Sequence, residues 1–160
     1  DMDMRIAADG TWYHQGSPLG RIAMLRLFAS VLKREGDEYF LVTPVEKLRI
    51  KVDDCPFIAT QLEVSGSGST QVLHFITNTG ESVIANAEHA IRVDPGDNGE
   101  PHPLLHVRSN LWALIHRNVF YRLVDLAEHR PGVDTTVTGV MSEGEFFPLG
   151  SYTRSDLSGT

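Results

Sequence analysis

The chain has 160 residues, 41% of them hydrophobic and 22% charged, the proportions of an ordinary globular protein of one domain or two small domains sharing a core. Its net charge of -7 argues against general nucleic-acid binding, and no apolar run approaches the roughly 18 residues a membrane span needs. The lone Cys55 excludes an internal disulfide and a cysteine-built zinc cage and fits a reducing, cytoplasmic setting; the polar N-terminus shows no signal peptide, and a trimmed leader stays open because the sequence does not start at Met.

Taken in chain order, MRIAADGTWYH (4–14) reads as a hairpin, because Asp9-Gly10 supplies the positive φ of a tight turn. Ser17 and Pro18 then suit the cap and first position of a helix. The apolar set Leu19, Ile22, Leu25, Phe28, Ala29 and Leu32 keeps helical spacing, with Lys33-Arg34 in the last turn and Gly36 as the stop. Neither a Walker phosphate loop nor a GxGxxG turn accompanies these glycines. Strand-like runs follow at 38–43, 48–52, 61–65 and 72–77, with SVIA and HAIRV as two more. Turns lie at 66–69 and 78–80. DPGDNGEPHP (94–103) is the clearest break in the chain. LLHVRSNLWALIH reads as strand, turn, strand, followed by an amphipathic helix over about 119–129, a β-prone stretch at 133–141 and a closing FFPLG. The tail 151–160 is polar.

The two ends resemble each other. Asp9-Gly10-Thr11-Trp12 matches Ser109-Asn110-Leu111-Trp112, and Arg21, Arg26 and Leu27 match Arg117, Arg122 and Leu123. Turn, tryptophan and helix recur in the same order, which predicts an internal duplication: a small unit that cannot bury its own face gains by packing on a copy.

Charge is uneven: residues 1–51 hold eight Lys or Arg against seven Asp or Glu, residues 52–160 six against fourteen. In an extended 47–52, Lys47, Arg49 and Lys51 share one face. Such a stripe suits a solvated outer face or charge-protected edge, and equally a phosphate or carboxylate ligand. Arg21, at a helix start, is a further anion candidate. The seven histidines show no convergent metal spacing, since Pro103 interrupts His102-x3-His106, and Asp125 with His129 is an ordinary i, i+4 pair. Asp53 and Asp54 beside Cys55 raise its thiol pKa and disfavour a nucleophile at this strand-edge position. No strained-turn signature marks a catalytic serine. The aromatic residues Trp12, Trp112, Phe120, Tyr121, Phe146 and Phe147 read as core anchors.

With WYHQGSPLGR, LVTPVEKLRIKVDDCPF, LHVRSNLWALIHRNVFYRLVDLA and FFPLG in this order, the chain resembles a proteobacterial domain-of-unknown-function family, number twelve-eighty-five, from about Arg5 to Gly150. TPVEK and FFPLG carry most of the specificity. The resemblance implies two structurally duplicated α+β halves, the second superficially like a pleckstrin-homology barrel. It also implies a ligand site at their junction and a role in signalling, and it carries no catalytic residues over. Ser109-Asn110 departs from the commoner Asp-Gly turn, and Arg122 stands where an acid is frequent, which leaves the local charge open.

The expected fold is therefore α+β. Residues 1–93 form the first hairpin–helix–sheet unit, 94–103 the connection and 104–150 a shorter second unit, with 151–160 as tail. The expected function is regulatory binding of a small anionic molecule or a protein partner at the junction. Arg21, Lys47, Arg49, Lys51 and Arg117 are the candidate ligands of the anion. No catalytic residue, metal ligand, cofactor, nucleic acid or membrane span is expected, and oligomeric state stays open. The alternative is a small hydrolase or metal-dependent enzyme using histidines and Asp53 or Asp54.

Overall fold

The N-terminal hairpin forms as read. In the computed structural model, which describes residues 2–153, β1 (Met4–Ile6) and β2 (Trp12–His14) pair antiparallel, with Ile6 opposite Trp12. The next turn differs from expectation. Gln15 and Gly16 adopt φ of 52° and 82°, so the chain reverses two residues early, and Ser17–Pro18 becomes β3, paired with His14 and Tyr13. Ser17 therefore caps no helix. The helix α1 (Ile22–Ser30) starts after Arg21, whose side chain makes no capping bond.

The end of α1 also differs. Lys33 and Arg34 lie not in a last helical turn but in β4 (Leu32–Glu35), and Gly36 (φ 61°) turns the chain into β5 (Glu38–Val42). The β-prone EYFLV offers Leu32 a partner in Leu41, and both sides are buried, which outweighs extension of the helix. β6 (Lys47–Val52) then pairs antiparallel with β5 and parallel with β1. The first sheet runs β3-β2-β1-β6-β5-β4.

The short link 53–56 leads to a second sheet of β7 (Phe57–Ser65), β8 (Val72–Thr77), β9 (Ser82–Ile84), β10 (Ile91–Pro95), β11 (Pro101–Arg108) and β12 (Leu111–Ile115). Its order is β10-β11-β12-β7-β8-β9, with β12 parallel to β7. Residues 94–103 carry the end of β10, a turn and the start of β11, and Asp94 faces His102 across that hairpin. The sheets thus group residues 4–52 and 57–115, rather than dividing the chain at 94–103.

The second helix, α2, spans Arg117–Asp125, earlier than 119–129, because the His116 side chain caps it by accepting from the Asn118 N–H. His129 consequently lies on β13 (Glu128–Pro131), apart from Asp125. β14 (Thr135–Ser142) and β15 (Glu145–Thr153) complete an antiparallel three-stranded sheet. Of the tail, 151–153 extend β15 and 154–160 lie outside the described residues.

Among the described residues, extensive sheet and two α-helices make the fold α+β. The order hairpin, helix, three-stranded meander occurs twice, as β1-β2 to β6 and as β11-β12 to β15. In the first run the last strand closes back on β1; in the second the meander is its own sheet. One core joins them: Trp12, Leu32, Phe57, Phe75, Leu105, Leu111, Leu123 and Val140 are all buried in it. Asn78 clamps the first hairpin to β7, donating to the Gly10 carbonyl at 2.9 Å and accepting from the Ile58 N–H at 2.9 Å. Among the described residues, no helix is long and apolar enough to cross a membrane.

Candidate ligand-binding cleft

The alternation expected for β6 is present. Lys47, Arg49 and Lys51 are exposed on one face, while Leu48, Ile50 and Val52 turn inward. Two of the three cations are already engaged. Lys47 Nζ is 2.6 Å from Glu35 on β4, two strands away, and Arg49 Nε 3.7 Å from Glu38 on the adjacent β5. Both cations also lie over the Phe40 ring, at 4.6 and 5.9 Å. The sheet supplies its own counter-charges, so most of the stripe is a balanced surface.

Among the described residues Lys51 makes no ion pair. It borders an open depression of about 650 Å³ with Asp3, Arg5 and Tyr13. Arg5 is drawn off by Asp53 at 3.1 Å and stacks on Tyr13. Arg21 is exposed at the start of α1 and borders neither this depression nor the cleft described next.

Arg117, the first residue of α2, is placed differently. It lines a cleft of about 400 Å³ between β11, β12 and α2. Pro101, Pro103, Leu114, Ile115, Phe120 and Tyr121 wall it, and Glu100, His102 and Arg117 supply its charged or polar groups. Such a volume, with apolar walls and a few convergent polar groups, is the usual form of a small-molecule site. α2 is held there because Val119, Phe120 and Leu123 are buried beneath it, and Arg122 donates to the Leu62 carbonyl. Among the described residues Arg117 has no ion-pair or hydrogen-bond partner. The structure therefore separates the five cations into β6, the start of α1 and the start of α2, and does not bring them into one site.

His102, on the cleft wall, also reaches the link between the two six-stranded sheets. His102 Nε2 meets both oxygens of Asp54, at 3.0 and 2.9 Å. The Cys55 thiol donates to Asp54 Oδ1 at 3.8 Å. Cys55 is in the link between sheets, not at a strand edge, and is buried. Burial first, then the Asp54 charge and hydrogen bond, push its thiol up to about 12. Asp53, credited from sequence with part of this effect, points to Arg5 instead. Sequence reasoning did not foresee this group, because His102 and Asp54 lie 48 residues apart and neither has a ligand spacing near it.

The remaining aromatics divide. Trp12 is in the core, whereas Trp112 is half-buried, edge-on to His106 and under Arg92 at 4.6 Å. His106 stacks on His89 and so does not join His102.

A family model described as "Domain of unknown function (DUF1285), N-terminal domain" matches residues 1–55, and one described as "Protein of unknown function (DUF1285), C-terminal domain" matches residues 56–149. Their boundary falls in the link between the two six-stranded sheets. The chain is similar to a solved DUF1285 family protein from Silicibacter pomeroyi DSS-3, at 51% identity over 99% of this chain and 84% of that one, with a TM-score of 0.86. It is also similar to one from Shewanella baltica OS155, at 30% identity over 78% and 91% of the two chains, with a TM-score of 0.60. No curated protein matches the chain.

Proposed function

The chain belongs to the DUF1285 family, and from that premise we propose that it is a regulatory binding protein taking a small anionic molecule in the cleft between β11, β12 and α2. The observation that carries this reading is Arg117: a guanidinium without a partner among the described residues, on the wall of a largely apolar cleft. Its planar fork of donors suits a carboxylate or phosphate bidentately. The apolar walls ask for a ligand with an apolar body. Glu100 in the same cleft, and the acidic excess of residues 52–160, disfavour a polyanion. The reading therefore favours a monoanion with an aromatic or aliphatic part over a nucleotide triphosphate.

Lys51 with Arg5 offers a secondary anion surface, and Arg21, Lys47 and Arg49 serve at most to raise local potential. The regulatory role and the pleckstrin-homology-like character of the second run follow the family resemblance, a cytoplasmic setting follows the single cysteine, and all belong to the same proposal. A thermal-shift panel of aromatic and aliphatic monocarboxylates, monophosphates and nucleotides tests it. A ligand of the native state raises the melting temperature with concentration. The expected result is a saturable shift with a monoanion that Arg117→Ala removes and Lys47→Ala/Arg49→Ala retains. A panel without a shift counts against a small-molecule role and turns the search to a protein partner.

A further inference from the structure

We propose that Asp54, Cys55 and His102 form a binding site for a divalent metal ion of the zinc class. Three chemically different donors meet: a carboxylate and a thiol from the link 53–56, and an imidazole from β11. Their ligand atoms all lie within 4.8 Å of one another. Zinc bonds of about 2.0–2.3 Å in tetrahedral geometry place donors roughly 3.3–3.6 Å apart. The Asp54–Cys55 separation of 3.8 Å is close to that. His102 and Asp54, at 2.9–3.0 Å, stand slightly nearer because they share a hydrogen bond, and a small rotation of the imidazole admits an ion between them.

The donor set also selects the metal. Thiolate with imidazole favours zinc and its borderline-soft neighbours over magnesium or calcium, which take oxygen alone. Binding would displace the thiol proton of Cys55 to solvent, and Asp54 with the resulting thiolate would together match a charge of two. Cys55 is buried, whereas the His102 and Asp54 side chains are 32% and 30% exposed, which leaves an entry path and room for water as fourth ligand. A bound ion ties the link between the sheets to β11, on the strand that also lines the cleft. His102 also lines the anion cleft, but the anion reading stands on Arg117, which is no member of this cluster, so Arg117→Ala and Cys55→Ser separate the failure of one from the failure of the other.

Cobalt(II) titration of the full metal-free chain tests the site. The expected result is one equivalent of cobalt bound, a sulfur-to-cobalt charge-transfer band in the near ultraviolet, and displacement by zinc. Cys55→Ser should abolish the band. His102→Gln, at a partly exposed position, should weaken binding roughly tenfold or more while the metal-free protein keeps its circular dichroism and melting temperature. Where Cys55→Ser fails to fold, the His102 variant decides. Absence of the band in the unmodified chain, or binding of equal strength in His102→Gln, overturns the proposal. Arg117→Ala should bind cobalt like the parent.

Discussion

The outer face of β6 and the cleft beside α2 both carry cations, yet the fold treats them in opposite ways. On β6, Lys47 and Arg49 meet Glu35 and Glu38 across the sheet and rest on Phe40. In the cleft, Arg117 shares mostly apolar walls with Glu100 and His102 and has no partner among the described residues. The contrast teaches that cation density in a sequence is a poor guide to anion binding. What matters is whether nearby strands already supply the acids. Lys47 and Arg49 stand opposite Val42 and Phe40 in the register, and their long side chains reach over Phe40 to the acids, so these two charges are balanced before any ligand arrives.

The comparison can be broken most forcefully from beneath α2. Leu123 is fully buried under that helix. Leu123→Ala should cost about 2–5 kcal/mol in urea denaturation and abolish any binding at the cleft. By contrast Leu27, 61% exposed on α1, should lose within about 0.5 kcal/mol as Leu27→Ala. Equal losses would mean that the two helices are anchored alike and that α2 is not a special support.

A smaller effect sharpens the chemistry. Arg117→Ala should weaken a bound monoanion by about 1.5–3 kcal/mol, measured by calorimetry, with little change in stability. Arg117→Lys should recover only part of the loss, because an ammonium cannot reproduce the bidentate fork. Full recovery would reduce the arginine to a point charge. The smallest effect belongs to β6. Lys47→Ala/Arg49→Ala should shift stability by less than about 1 kcal/mol, as exposed ion pairs do, and leave monoanion affinity unchanged.

Much of this architecture was legible in the sequence. Asp9-Gly10, the alternation at 48–52, the apolar run at 72–77, and the hairpin around Ser109-Asn110 all carry local signals that the structure keeps. The errors share a cause. Ser17-Pro18 and Lys33-Arg34 have local helix chemistry, but Gln15-Gly16 and Gly36 reverse the chain so that each pair gains a strand partner. Tertiary pairing overrode propensity. The break at 94–103 looked like a domain connection because a surface hairpin turn and a linker use the same residues. Trp12 and Trp112 align in sequence, yet one sits in the core and the other half outside it, so matched tryptophans did not imply matched burial. Of the candidate site, Arg117 was named from the helix match, but its cleft was not visible, since Pro101 and Pro103 meet α2 only in three dimensions. The Asp54–His102 contact was beyond any spacing argument for the same reason.

The most direct measurement is an amide chemical-shift titration of the isotopically labelled chain with the monoanion that gives the largest thermal shift. The expected perturbations cluster at residues 100–103 and 114–121, fit one saturating curve, and vanish in Arg117→Ala. Perturbations centred on Lys47–Lys51 instead, with the α2 region unmoved, would contradict the assignment of the cleft and return the anion to β6.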